Sequence, residues 1–225
     1  GGQKITGWTL VGNGVYKANV GLLRSRQLYV NGNAAIRARE PDGSYYRIFS
    51  WDAANKLLNV QSSQISNWAR LNQVEMVILQ HWTTSRVRVS SFAASGSISS
   101  IVLQEPERSF VFNNLSFMFY DNPYYFENAY ELLDSEGEWY LNASTGELFY
   151  KLRAGDSIST LEAIAPVLEN LFVISGTLDA PVHNIQFHGL TLKDTTWLLP
   201  NTKGIRSGQS TEFGEGKKIS AVLLE

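Results

Sequence analysis

Short runs of β-branched and aromatic residues, bounded by Gly, Asn, Asp and Ser, recur about every ten to fifteen residues along the chain. These runs predict strands, for example at residues 27–30, 74–79, 86–89, 98–103 and 171–174. Helical periodicity is scarce, with room for two turns in residues 51–59 and for one turn in residues 159–162. The pattern therefore predicts a chain that is mostly β.

Two connections between strands have the residues of a specific turn. Asn31 and Gly32 supply the two positive-φ positions that a type I′ turn requires, which predicts a tight hairpin. Residues 139–141 and 148–150 flank a loop in which Gly146 can take the left-handed conformation that closes a longer hairpin.

The second hairpin carries two carboxylates, Glu138 and Glu147. Glycoside hydrolysis needs a pair of carboxyl groups about 5 Å apart for retention, or about 6.5 to 9.5 Å apart for inversion. A hairpin can bring two such residues together. The alternative, which we favour, is a solvated polar edge opposite a buried face made of Trp139, Leu141, Leu148 and Tyr150.

Composition narrows the classes of function. The 225 residues are 44% hydrophobic with a net charge of -2, which is enough for one large globular domain or two smaller ones. Without a basic block, neither nucleic acid nor an anionic membrane surface is an expected partner. The chain has no run of about 18 apolar residues, so we expect no membrane span.

Metal and thiol chemistry are also not expected. There is no cysteine, hence no disulfide framework and no thiolate nucleophile. The three histidines are His81, His183 and His188, and the last two would point to opposite faces of a strand. We therefore predict no metal site.

Several motifs in order resemble one family of enzymes. They are Ile5-Thr-Gly-Trp8, residues 26–32, 37–39, 127–128, 131–134 and 137–141, Ala165-Pro166, residues 184–191 and Trp197. This order resembles bacterial right-handed parallel β-helix glycoside hydrolases, in the group around glycoside hydrolase families 141 and 120.

The resemblance implies an all-β architecture, an antiparallel β-sandwich or barrel inserted between the first coils of a right-handed parallel β-helix. Residues 1–15 would form the first β-helix strand, 16–166 the inserted domain and 167–225 the truncated β-helix coils. Residues 171–176 and 185–192 resemble successive rungs of such a helix.

The resemblance also implies a role in polysaccharide degradation. The chain would be the N-terminal portion of an extracellular or periplasmic glycoside hydrolase of plant or host glycans, directed to xylan or fucose, with no cofactor. Its partner would be a polysaccharide or oligosaccharide. The family's catalytic carboxylates lie on later coils, so we expect glycan contact without a complete catalytic pair.

Other classes of function remain open at the level of sequence. They are a stand-alone carbohydrate-binding module, a structural domain that caps the solenoid, and a β-helix polysaccharide lyase. Self-association through exposed strand edges at the truncated coil end is also expected.

Glu127 and Asn128 are the first candidate carbohydrate-binding residues, because they follow aromatic residues in the segment 124–128. Aromatic faces stack on sugar rings while carboxylates and amides bind hydroxyl groups. The alternative is that this aromatic cluster belongs to the core. Trp197 is a second candidate, because the resemblance places it on a loop that leaves a β-helix coil.

The remaining candidates are His81, Trp82 and Arg39. His81 and Trp82 follow an apolar run, where the histidine can equally be the partner of a backbone carbonyl. Arg39, with Arg37, can bind a carboxylate through two parallel hydrogen bonds, but an inter-domain salt bridge is the alternative.

Overall fold

The computed structural model describes residues 1–81, 83–113, 121–207, 212–213 and 222–224. Trp82, one of the candidate residues, lies outside them. The strands in chain order are β1 (Gly2–Ile5), β2 (Thr9–Gly12), β3 (Val15–Asn19), β4 (Tyr29–Val30), β5 (Asn33–Ala34), β6 (Ile36–Arg37), β7 (Arg39–Glu40), β8 (Tyr46–Arg47), β9 (Ser50–Asp52), β10 (Leu57–Gln61), β11 (Glu75–Leu79), β12 (Thr84–Ser95), β13 (Ile98–Leu103), β14 (Pro123–Glu127), β15 (Glu138–Asn142), β16 (Glu147–Lys151), β17 (Ala163–Pro166), β18 (Phe172–Ile174), β19 (Ile205–Ser207), β20 (Glu212–Phe213) and β21 (Val222–Leu224).

Helical structure is short. The described residues contain α1 (Glu107–Phe112), α2 (Pro200–Lys203) and three single turns of 3-10 helix at Ser62–Gln64, Leu71–Gln73 and Tyr130–Leu132. The prediction of an all-β chain is therefore confirmed. Among the residues that the structure describes, no helix has the length and apolarity that crossing a membrane requires.

Three sheets stack around two hydrophobic cores. The largest has ten strands and follows the order β7-β14-β11-β12-β13-β10-β9, with β8, β19 and β20 as side branches. The second follows the order β2-β3-β16-β15-β6, and the third the order β1-β17-β4-β5. Stacked, mainly antiparallel sheets fit the predicted β-sandwich.

The five-stranded sheet lies between the two cores. On β15, Tyr140 packs in the core shared with the ten-stranded sheet. Its neighbours Trp139 and Leu141 point to the opposite face and pack in the second core, beside the four-stranded sheet. All five residues of β15 are buried as a result. The predicted buried face is confirmed, because Trp139, Leu141, Leu148 and Tyr150 are all buried. The predicted wet face is wrong for β15, which the ten-stranded sheet covers, whereas Glu147 of β16 remains partly exposed.

Both predicted hairpins are confirmed. Asn31 and Gly32 have φ values of 51° and 77°, and β4 pairs with β5 in the register Val30 to Asn33. β15 pairs with β16 in the register Trp139 to Tyr150.

Two helical predictions are wrong. Residues 51–59 contribute to β9 and β10, which pair as an antiparallel hairpin, and residues 159–162 form no helix. Leu58 and Val60 alternate with half-buried residues, and such a short segment satisfies a period of two as easily as a helical period.

The C-terminal segment contains two parallel pairings, β18 with β21 and a single bridge between Leu168 and Thr195. Residues 185–192, predicted as a rung, contain no strand. The coils of a parallel β-helix are therefore not shown by the described part of residues 167–225. Gly2–Ile5 pairs antiparallel with Ala163–Pro166, so the two ends of the intervening chain lie side by side.

Candidate functional site

Three buried charged side chains and the half-buried Arg37 meet where the ten-stranded and five-stranded sheets come together. Glu75 opens β11 and lies directly opposite Glu127, the last residue of β14, in the antiparallel register. Arg37 ends β6 of the five-stranded sheet, and Arg26 lies in the segment that leads into β4. We call these four residues the charge network.

The charge network is connected by five short contacts. Arg26 donates from Nη1 and Nη2 to the two carboxylate oxygens of Glu75, both at 2.5 Å. Arg37 donates from Nη1 to Glu75 at 2.9 Å and to Glu127 at 3.0 Å. Arg26 Nη2 is also 3.3 Å from Glu127 Oε1. The bidentate arrangement of Arg26 on Glu75 is the strongest geometry available to this pair.

The electrostatics of the network keep Glu75 and Arg26 ionised. Burial by itself raises the pKa of Glu75, but Arg37 and Arg26 more than offset it and lower the pKa to about 2. Burial likewise opposes the charge of Arg26, and Glu75 and Glu127 reverse the effect and raise its pKa. Two positive and two negative charges therefore compensate each other away from water.

The network also holds the C-terminal segment. Asn201 Oδ1 in α2 accepts a hydrogen bond from Arg26 Nη1 at 2.7 Å. Thr196 Oγ1 accepts from the backbone N–H of Arg26 at 3.2 Å and donates to Gln27 Oε1 at 2.6 Å. Arg26 thus connects the segment before β4 to the first residue of β11, a central strand, and to residues 196 and 201.

A cleft of about 340 Å³ opens over the network. It is lined by Arg24, Ser25, Arg37, Asn72, Gln73, Glu75, Arg88, Asn128, Leu141, Ala143, Ser144 and Asn201. We call it the polar cleft. Amides, hydroxyls and guanidinium groups dominate, and such groups donate to and accept from a ligand rich in hydroxyls.

The arginines of the polar cleft differ in their partners. Arg37 belongs to the charge network, and Arg88 is paired with Glu107 through Nε at 2.5 Å and Nη2 at 3.0 Å. Arg24 is exposed and forms no ion pair within the described part of the chain. Arg24 is therefore the group that can offer its full positive charge to a ligand.

The structure brings two of the predicted residues to the polar cleft. Asn128 lines it, with Nδ2 donating to the backbone carbonyl of Gln73 at 2.8 Å. Glu127 lies beneath it in the charge network. The salt bridges of Arg37 to Glu75 and Glu127 join two sheets within residues 16–166, so they are not the inter-domain pair that the sequence suggested.

The other predicted residues lie away from the cleft lining. Arg39 packs over the ring of Tyr125 at 3.7 Å and donates to the carbonyl of Ser44 at 2.8 Å. His81 is exposed in the loop after β11, at the opposite end of the strand from Glu75. Trp197 is half-buried, and its buried Nε1 has no hydrogen-bond partner within the described ranges.

The two carboxylates of the second hairpin do not form a catalytic pair. Glu147 lies opposite Asn142, whereas Glu138 is at the other end of β15. Four residues at about 3.3 Å each separate them by about 13 Å, which exceeds the spacing of about 6.5 to 9.5 Å for an inverting pair. Glu147 is solvated and paired with Lys17 at 2.8 Å.

The prediction that Glu138 forms a solvated edge is wrong, because its side chain is fully buried. Its Oε1 accepts from the backbone N–H of Arg39 at 3.0 Å, and its Oε2 accepts from Asp134 and Ser135 at 3.1 and 3.0 Å. Burial raises its pKa to about 7, with Asp42 adding repulsion and the backbone donors opposing the shift.

Asp42, Asp134 and Glu138 form an acidic cluster whose oxygens lie within 4.8 Å of one another. Asp42 accepts a hydrogen bond from the hydroxyl of Ser135. Both carboxylate oxygens of Glu138 accept hydrogen bonds from backbone N–H groups. The arrangement closes the 134–138 loop onto the start of the hairpin, and we assign no metal to it.

Sequence reasoning missed Arg24, Arg26, Glu75 and Asn201. Arg26 and Asn201 are 175 residues apart, so only the tertiary fold joins them. The sequence does contain a signal for Glu75, because it is a carboxylate inside the apolar run 74–79. Burying such a group is costly without a cationic partner, so its position indicates a buried ion pair.

Two comparisons with known proteins, one of sequence and one of structure, both find similarity to glycoside hydrolases. Residues 11–153 match the sequence family described as the GH141 insertion domain. A solved structure titled "Glycoside hydrolase" is similar, with a TM-score of 0.84 and 32% sequence identity. The similarity covers 91% of this chain and 37% of that one, so the chain spans little more than a third of its relative. No curated protein sequence matches.

Proposed function

The chain belongs to the GH141 insertion-domain family, and from this premise we propose that it is the N-terminal part of a carbohydrate-active β-helix protein that degrades plant or host glycans. Xylan- or fucose-containing glycans are the substrates we would test first. The likeness to a glycoside hydrolase over most of this chain supports the proposal. The similar structure extends well beyond the matched part.

The domain division of the proposal is an insert at 16–166 between residues 1–15 and 167–225. Two observations support it. The matched family region, 11–153, falls largely within the insert. The pairing of Ile5 with Ala163 brings the entry and exit of this region together, as is usual for inserted domains.

We propose that the polar cleft contacts the glycan. This proposal rests on the lining of the polar cleft, which consists mainly of amide, hydroxyl and guanidinium groups. The buried charge network beneath the cleft holds these groups in place. Such groups match the hydroxyls of a sugar chain, and Arg24 adds a charge that favours glycans with a carboxylate.

Hydrolysis, on this proposal, requires carboxylates outside this chain. The carboxylates of Glu138 and Glu147 are too far apart to act across one glycosidic bond. We expect this chain to leave aryl xylosides, aryl fucosides and xylan intact, whereas a chain extended to the length of its relative hydrolyses one of them. Hydrolysis of any of these substrates by this chain alone would refute the proposal that the catalytic carboxylates lie outside it.

The cleft is tested by affinity electrophoresis in gels containing xylan or pectin. We expect retardation of this chain, weakened when Arg24→Ala and Asn72→Ala are combined, because both side chains are exposed at the cleft. Arg47→Ala is the matched control, an exposed arginine outside the cleft. Equal mobility of all variants in every gel would favour a structural capping role instead.

The exposed apolar side chains of the C-terminal segment support the proposal of self-association or of cover by a longer protein. They include Val173, Leu178, Ile185, Phe187 and Leu190. Several large apolar side chains exposed in one segment are typical of a contact surface when they lie together. A monomeric sedimentation profile at high concentration would argue against self-association.

A further inference from the structure

A second cavity, also of about 340 Å³, lies on the other face of β15 from the polar cleft. Leu141 lines the polar cleft, whereas Tyr140 and Asn142 line the second cavity. Successive residues of a strand point to opposite faces, so the two cavities are separated by the middle sheet. We call the second cavity the aromatic recess.

Three aromatic rings build the aromatic recess. Tyr130, from the 3-10 turn Tyr130–Leu132, is 42% exposed. Its ring centroid lies 4.9 Å from Phe149 and 6.1 Å from Tyr140, at interplanar angles of 66° and 64°. Edge contacts of this kind fix the ring of Tyr130, so little side-chain entropy is left to lose on binding.

Four charged side chains surround these rings, and their charges cancel. Glu147 accepts from Lys17 Nζ at 2.8 Å and from Thr145 Oγ1 at 3.0 Å. Glu131 Oε1 accepts from the backbone N–H of Ala69 at 2.7 Å, and no described residue donates to its Oε2. Arg70 also lines the recess. Its backbone carbonyl accepts from Gln73 N–H at 2.8 Å, but its guanidinium makes no hydrogen bond or ion pair to a described residue.

Size and charge together select the class of ligand. A volume of about 340 Å³ is near the lower end of small-molecule sites, which suits one small ring better than a long chain segment. Two cations and two carboxylates leave no net charge to attract an anion. The open donors on Arg70 and the second carboxylate oxygen of Glu131 match the hydroxyl groups around a ring.

We propose that the aromatic recess binds a single neutral pyranose residue of a glycan, stacked on Tyr130 and hydrogen-bonded by Glu131 and Arg70. It is a binding site on the inserted domain, separate from the polar cleft. The proposal shares with the proposed function the premise that glycans are the ligands. It does not depend on the polar cleft.

The experiment is a titration of the ¹⁵N-labelled full chain with methyl xyloside, methyl glucoside and methyl fucoside, and with methyl glucuronide as the acidic probe. We expect saturable shifts of backbone amides around Tyr130, Glu131 and Phe149 with a neutral glycoside, and weaker binding of the glucuronide. No saturable shift at the recess with any neutral glycoside would overturn the proposal.

Variants give a second, independent readout. Tyr130→Ala should weaken binding about two- to tenfold, because the variant loses the ring on which the sugar stacks. Tyr130→Phe should keep the affinity, and Tyr45→Ala is the control, an exposed tyrosine outside the recess. Equal affinity of Tyr130→Ala and Tyr45→Ala would overturn the proposal.

The two sites are told apart by the Arg24→Ala and Asn72→Ala variant. If it weakens retardation by xylan or pectin while saturable shifts at the recess persist, both sites exist. Loss of the recess shifts in this folded variant would overturn the assignment of a separate site.

Discussion

At the residue scale, the chemistry of this protein is set by how each buried charge is compensated. Glu75 receives two arginines, and its pKa falls to about 2. Glu138 receives only backbone N–H groups and lies beside Asp42, and its pKa rises to about 7 because burial dominates. Two buried glutamates of the same fold therefore respond to pH in opposite ways.

Glu138 predicts a loss of stability with rising pH. Its pKa is higher in the folded state than the ordinary value of 4.5, so the folded protein holds this proton more tightly. The contribution is fully present below about pH 4.5 and is lost as the pH rises through about 7. We expect the free energy of unfolding, measured with urea from pH 5 to 8, to fall over this range.

Glu138→Gln should flatten that fall, because an amide does not titrate. Glu147→Gln is the control, since its solvated carboxyl has a pKa lowered by hydrogen bonds from Lys17 and Thr145. The assignment to Glu138 is contradicted if Glu138→Gln loses as much stability between pH 5 and 8 as the unmodified chain.

At the scale of elements, the hairpin of β15 and β16 depends on one glycine. Gly146 has a φ of +70°, and a Cβ there would lie 2.3 Å from the carbonyl oxygen of Gly21. Its own carbonyl accepts from Val20 N–H at 2.7 Å, which stops the loop from moving aside. The loop that closes the hairpin is thus packed against the segment after β3.

Gly146→Ala should destabilise the protein more than Gly96→Ala. Gly96 also has a positive φ, +63°, but a Cβ there meets nothing within 4 Å. Gly96→Ala then reports backbone strain alone, about 1 kcal/mol, and Gly146→Ala should cost at least about 2 kcal/mol more because of the clash. Equal midpoints of urea unfolding for the two variants would show that the contact with Gly21 gives way.

At the scale of the whole molecule, the charge network couples three parts of the chain. Arg26 contacts Glu75 of the ten-stranded sheet and Asn201 of α2. Through Glu75 it also meets Arg37 of the five-stranded sheet. Hydrophobic packing is non-directional, whereas these hydrogen bonds allow one relative placement of the three parts.

Arg26→Ala should therefore cost about 3 to 5 kcal/mol, the usual range when one partner of a buried ion pair is removed. Amide hydrogen exchange should accelerate in β11, β6 and residues 196–203 together. Arg26→Lys should recover only part of the stability, because an ammonium group cannot bind both oxygens of Glu75 in parallel.

Arg47→Ala is the matched control, since its contact with Asp121 is 3.7 Å long and both side chains are mostly exposed. It should leave exchange unchanged throughout. Coupling across the molecule would be contradicted if exchange became faster only at the sequence neighbours of Arg26 and not in β11, β6 and residues 196–203.

Local sequence was sufficient to specify both hairpin turns. Asn31-Gly32 specified a type I′ turn because both residues tolerate positive φ, and Gly146 marked the end of a hairpin for the same reason. The run of β-branched and apolar residues at 98–103 predicted β13 at its observed bounds. These features depend on neighbours in the chain, which the sequence displays directly.

Only the tertiary structure decided what covers each strand and which distant residues meet. The pattern of β15 is compatible with one wet face, and a second sheet buried Glu138 on that face. Arg26, Glu75 and Asn201 became one site although no local pattern links them. A period of two identifies the faces of a strand, but burial of each face depends on long-range packing.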